Sequence, residues 1–292
     1  MNSIDEKKKK IDKIIEIVNN SEISSIKQTV TQIINTINDP DSSANDLKSI
    51  IEIDPPITAK LLKLANSAYY SYPKTISSIL ESIVCIGFEA VRELALNQKV
   101  CEIFKKTDYI NGYSRISLWK HSVAVAICSK LIYRREFSEP GENIYVAGLL
   151  HDIGIIVLDQ FLHYDFINIL RKSKHEKNNL VNIENAVLGF NHTDIGLAIA
   201  DNWNFPIELV KAVGNHHNPE NVDDEYVNIS STIFVANYVI QDKFIGYCDA
   251  PYKNKTLFQK HLMKLKIKEK AIDFIMKEVE EEINKMEKAG WF

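Results

Sequence analysis

Glycine is scarce, neither charge is in large excess, and no apolar run is long. Ten glycines in 292 residues is about half the ~7% usual for globular proteins, which argues against folds built from many tight turns. Thirty-five basic against thirty-nine acidic residues leave a net charge of -4, the wrong sign for a protein whose affinity comes from neutralising phosphate backbones. Nucleic acid is therefore not expected as a partner. The four cysteines, Cys85, Cys101, Cys128 and Cys248, have no C-x-x-C spacing and sit mostly among apolar neighbours, as buried reduced thiols do. Apolar stretches such as Val146 to Leu150 and Ile155 to Leu158 fall short of the ~20 residues that span a bilayer. The opening MNSIDEKKKK lacks the apolar core of a secretory signal. The expected setting is the cytoplasm, without membrane contact.

What remains is an ordinary folding composition: 45% hydrophobic, 25% charged, mean hydropathy -0.16. Apolar residues recur at three- and four-residue intervals with little strict alternation, so the expected fold class is all-α. Ile4, Ile11, Ile14, Ile15 and Val18 mark one face of a first helix, opposite a charged face that includes Lys7 to Lys10. A second helix runs through Ile26 to Ile37 and stops at Asn38-Asp39-Pro40. Ser43 and Asp46 have capping-box spacing, and Asp54-Pro55 opens the next helix with a side-chain cap and a first-turn proline. That helix breaks near Tyr72-Pro73. Gly87 divides Ser78 to Gln98 into two short helices. The polar segment 107–115, with Gly112, is the best internal boundary. Further helices are expected at 118–133, 143–150, 159–172, 182–188, 193–203, 206–214 and 226–240. A long amphipathic C-terminal helix through Ile272, Ile275, Met276, Val279, Ile283 and Met286 packs on the body or on a partner.

The histidines carry the chemistry. His151-Asp152 comes after an apolar segment and precedes Ile153-Gly154. Adjacent helical residues point about 100° apart, so both reach one ion only from the narrow side of a pocket or at a helix end, and Gly154 makes a helix end reasonable. His121 lies near the start of its helix, His192 just before another, and His216-His217 at the end of a third. Taken alone, each has a plain alternative: a core or surface residue, a cap residue, or a cation on a helix dipole. Together they offer neutral imidazoles and one carboxylate in the numbers that one or two first-row metal ions need.

LLHDIG at 149–154, LWKHSVAVA at 118–126, FNHTDIGLAIADNWNFP at 190–206 and AVGNHH at 212–217 resemble the HDOD branch of the HD superfamily. The segment from Asp54 to Leu96 (DPPITAKLLKLANSAYY through VRELAL) is similar to the HDOD signature that precedes the HD core. The resemblance spans roughly residues 22–240. It implies an N-terminal helical bundle over 1–110 and, over 111–292, an HD-like metal-binding helical core plus the C-terminal helix. It also implies a metal site made by His121, His151, Asp152, His192, His216 and His217, which match in order the histidine, His-Asp, histidine and His-His motifs of the related HD-GYP phosphodiesterases. The cofactor would be one or two divalent transition-metal ions: iron or manganese from the superfamily, with zinc or nickel also suited to such donors.

Two departures count against catalysis. Where the related enzymes carry a lysine three residues after the aspartate, this chain has Ile155, and their late aspartate aligns with Asn237. A ligand charge and a cation that could stabilise developing phosphate charge are thereby lost. The GYP segment is replaced by Asn218-Pro219-Glu220-Asn221, so hydrolysis of cyclic di-GMP is not expected. The favoured expectation is a metal-binding signalling module with a protein partner. The alternative is a metal-dependent phosphohydrolase acting on a nucleotide or other phosphoester, and a third is a helical surface with vestigial histidines. Tyr69, Tyr70, Tyr72 and Phe88 fill a core or line a partner groove. Trp119 and Trp203 pack behind the metal motifs.

Overall fold

The structure is a computed structural model that describes residues 3–67, 70, 74–105, 109–110, 112–176, 178–248 and 254–292. It is all-α apart from one short ribbon. Contacts divide the chain into two compact units, residues 21–103 and residues 1–20 with 104–292. Helix α1 (Ser3–Asn19) belongs to the second unit, whereas the sequence grouped it with the N-terminal bundle. The reason is its partner: α1 lies on the residues around α12, where Lys7 pairs with Asp194 at 2.8 Å and Lys10 Nζ donates to Leu188 O at 3.2 Å. Two of the four lysines read as a solvated face thus bind the body.

The unit 21–103 holds α2 (Lys27–Asn38), α3 (Ala44–Glu52), α4 (Pro55–Ala65), α5 (Ile79–Ile86) and α6 (Phe88–Val100). Its local signals are those in the sequence. Ser43 and Asp46 form the reciprocal capping box at the start of α3, and Gly87, at φ 98°, separates α5 from α6. Asp54 caps α4 through Ile57 N at 3.2 Å and pairs its other oxygen with Lys99 at 2.9 Å. Ile33, Ile34, Leu47, Ile51, Ile57, Leu61 and Val91 form the core, each apolar side chain contributing about 1.5–3 kcal/mol on burial. Tyr69, Tyr72 and Pro73 lie outside the described residues. Phe88 is half-buried under the Arg92 guanidinium, 4.7 Å from its ring centre.

In the second unit a ribbon of β1 (Tyr109–Ile110) and β2 (Tyr113–Ser114) occupies the polar segment read as a boundary. The helices after it are α7 (Arg115–Ile132), α8 (Glu142–Leu150), α9 (Ile153–Phe161), α10 (His163–Glu176), α11 (Leu180–Leu188), α12 (His192–Asn202), α13 (Ile207–Asn215), α14 (Val227–Asp242), α15 (Lys255–Lys264) and α16 (Glu269–Lys288). Helix α7 is the axis, packed by α8, α14 and α16. The C-terminal helix α16 therefore covers the body, burying Ile272, Ile275, Met276, Val279 and Ile283, with Lys120–Glu287 and Arg135–Glu278 ion pairs alongside. Residues 142–161 are together long and apolar enough to cross a membrane by length and composition, but they form the two helices α8 and α9, and 83% of their most apolar 18-residue stretch is buried. Among the cysteines only Cys128 is fully buried, its thiol pKa pushed up to about 12 by burial; Cys85, Cys101 and Cys248 are half-buried thiols outside any disulfide.

Candidate metal centre

All six sequence-predicted site residues converge in the second unit. His151 and Asp152 are the joint between two helices: His151 ends α8 and Asp152 precedes the first residue of α9. Gly154 therefore does not stop a helix, as the sequence suggested. It sits in the first turn of α9, where an added Cβ would stand 2.0 Å from His192 O, so glycine is what lets α9 approach the start of α12. His192 is the first residue of α12, after the Asn191 cap. His216 ends α13 with His217 beside it, and His121 projects from the second turn of α7.

Hydrogen bonds on the far side of three rings fix their tautomers. His151 Nδ1 lies 2.7 Å from Gly148 O, and His216 Nδ1 lies 2.8 Å from Val213 O. A carbonyl only accepts, so each Nδ1 carries the proton and each Nε2 presents a lone pair. His192 Nδ1 is held by Glu184 Oε2 at 2.7 Å, the same oxygen accepting the His192 backbone N–H at 2.9 Å. These lone pairs point at another acceptor. Asp152 Oδ2 faces His151 Nε2 at 3.1 Å and His121 Nε2 at 3.7 Å, while Oδ1 faces His216 Nε2 at 3.3 Å and His192 Nε2 at 3.6 Å. His217 Nε2 closes the second group, 3.2 Å from His192 Nε2.

Burial disfavours protonating three of the rings. Burial drives the His121 and His216 pKa values down to about 4 and that of His217 well below its ordinary range, although Asp152 pulls each upward. The result is buried acceptors without donors. His151 Nε2, His216 Nε2 and Asp152 Oδ1 have no hydrogen-bond partner, nor has either nitrogen of His121, one of which carries the ring proton; each unsatisfied acceptor costs about 1–3 kcal/mol unless a cation satisfies it. Two overlapping sets could hold a metal ion, with ligand atoms within 4.8 Å of one another: Asp152, His192, His216 and His217, and His121, His151 and Asp152. The donor chemistry of both suits a first-row transition metal.

Sequence reasoning missed Glu184. It is fully buried on α11, and the available signal was a carboxylate on the apolar stripe of Leu180 and Ile183. Asn237 lies buried on α14, its Oδ1 unpaired, with its side chain beside His121. Ile155 is fully buried in α9, as an apolar side chain there should be. Trp119 and Trp203 are buried in the same unit, against Phe104 and Phe205.

The HDOD domain matches residues 23–219, more than half of the chain and all six clustered residues. The chain belongs to the HDOD domain family. An HDOD domain protein of unknown function from Geobacter sulfurreducens is 25% identical, with a TM-score of 0.73 over 91% of this chain and 92% of that one. A protein from Marinobacter aquaeolei VT8 assigned to signal transduction shares the fold at a TM-score of 0.71 and 21% identity, over 90% of this chain and 58% of that one. An uncharacterised protein of Treponema pallidum is 24% identical over 231 residues, which is 75% of this chain and 42% of that protein. This HDOD chain thus spans less than half of that relative. Helix α1 and everything from α14 onward lie outside the family match.

Proposed function

We propose that this HDOD protein is a metal-binding signalling module that acts through a protein partner rather than by turnover. The observation that carries metal binding is the meeting of the Nε2 lone pairs of His151, His192 and His216 with the Asp152 carboxylate at 3.1–3.6 Å in a buried space. His121, His151, Asp152, His192, His216 and His217 would hold one or two divalent ions, iron or manganese first. A bound ion of this kind would supply Lewis-acid charge and bind water or an anionic group. Glu184 and the Gly148 and Val213 carbonyls hold three rings in place. Ile155 leaves no cation where the related enzymes carry lysine, and Asn237 offers an uncharged oxygen in place of the late aspartate. Signalling as the output is the role assigned to the Marinobacter relative.

A second reading, a metal-dependent phosphohydrolase of nucleotides or other phosphoesters, draws on one feature: the two oxygens of Asp152 face two different groups of histidines, as a carboxylate shared by two ions would. A phosphohydrolase assignment is also carried by a relative of this fold from Shewanella amazonensis SB2B, at a TM-score of 0.63 and 21% identity.

Elemental analysis of protein never exposed to a chelator, paired with His151→Ala, tests the proposal. Metal is expected in the wild type and lost from the variant, together with thermal stability, because metal bound only by the folded form stabilises it. Unchanged metal in the variant would show that the ligands are misassigned. Loaded with iron, manganese or zinc, the wild type should not turn over a phosphoester panel. Rates of about 1–10³ s⁻¹ would establish the second reading instead.

A further inference from the structure

The cluster is held unevenly. His151, His192 and His216 each have Nδ1 anchored by a hydrogen bond. Neither nitrogen of His121 has a bond of that geometry; the polar groups that reach its ring are the Ile245 main chain and the Asn237 side chain. With polar contacts only from α14 and the turn after it, the His121 ring depends on how that turn and its own backbone are placed. That backbone is gripped by the turn after α14. Gly246, at φ 77°, lies so close that an added Cβ would stand 2.4 Å from His121 N, 2.5 Å from Ser117 O and 2.9 Å from His121 Cα. These are main-chain atoms of α7, which cannot move aside as a flexible side chain can, and the positive φ independently favours glycine. The turn is pinned on both sides: Ile245 N donates to Ile240 O at 3.2 Å, Tyr247 N donates to Ser117 O at 2.8 Å, and the Tyr247 ring packs edge-on against the buried Tyr113 at 5.3 Å. The turn itself lies beyond the family match, which ends at residue 219.

We infer that the turn Phe244–Tyr247 positions His121 and so sets whether the His121–His151–Asp152 half of the site fills. Gly246 is its positioning residue. The inference rests on the metal-binding proposal. Without the turn in place, the four-donor half of Asp152, His192, His216 and His217 still binds, and the three-donor half loses a ligand. Occupancy of the second ion then responds to anything that moves the chain after α14.

The test is cobalt(II) titration of the full chain, read by stoichiometry and visible absorption, for the wild type, Gly246→Ala, His121→Ala and Gly290→Ala. The last is a matched control, with φ 72° and no atom within 4 Å of an added Cβ. The wild type and Gly290→Ala should take two ions. Gly246→Ala should weaken the second roughly 10- to 100-fold, the range for outer-shell supports, and keep the first with the spectrum seen in His121→Ala. Two tightly bound ions in Gly246→Ala would overturn the inference and leave the metal-binding proposal standing. A wild type that takes only one ion would also overturn the inference, and one that takes none would overturn both. Hydrogen exchange on the wild type keeps the test decisive should Gly246→Ala fail to fold. The Tyr247 amide should gain protection as the second ion binds, and an amide indifferent to that ion would contradict the inference.

Discussion

Burial, which drives the His121 and His216 pKa values down to about 4, makes the metal-free site sensitive to acid. In the unfolded chain these rings titrate near 6.5. Above that pH both states are neutral and the rings cost nothing. Between 6.5 and about 4 the unfolded chain binds protons that the folded site refuses, so stability falls as acid is added and levels off below about 4. The full loss is on the order of 3 kcal/mol for each ring. Melting temperatures in chelator should therefore drop from pH 7 to pH 4.5, and a flat profile would mean that the rings are not neutral and buried. Glu184 provides a sharper test. Glu184→Gln keeps the side chain's size but removes the charge that orients His192, so metal affinity by chelator competition should fall about 10-fold or more. Unchanged affinity would remove Glu184 from the site. The six clustered residues were legible in the sequence because their motifs are local. Glu184 was not, because its partner lies eight residues away across the turn between α11 and α12, and only packing brings the two together.

Helices whose ends carry a side-chain signal were the readable ones. The Ser43–Asp46 box starts α3 and Asp54-Pro55 starts α4, each where the sequence indicated, because a cap satisfies orphan N–H groups within four residues. Ser43→Ala should cost about 1 kcal/mol, measured by denaturant midpoint at constant slope. No change would mean that the box adds nothing to stability. Helices α9 and α15 were missed. Helix α9 comes after α8 with only His151 and Asp152 between them and is apolar all round, so neither a break nor a periodic face marked its start. Asp159, read as the opening of a helix, lies near the end of α9 and pairs with Arg115. Helix α15 is short, with Phe258, His261 and Leu262 as its buried residues, too few to rise above the surrounding polar chain.

The molecule as a whole joins segments that the sequence keeps far apart. Helix α1 packs on α12, whose first residue is His192, and α16 packs on α7, which carries His121. Both outer helices lie outside the family match, and both reach helices that present a clustered histidine. The sequence left α16 without a settled partner and placed α1 in the other unit, because an amphipathic face says that a helix is covered but not by what. The central claim is that a cation, held on Asp152, occupies the buried space between these histidines. Anomalous diffraction at the metal edge, from crystals grown without chelator, tests it most directly. Scattering beside the Asp152 carboxylate, within reach of His151 or of His192, His216 and His217, is the predicted result. Metal located elsewhere, or imidazoles turned away from an empty space, would contradict it.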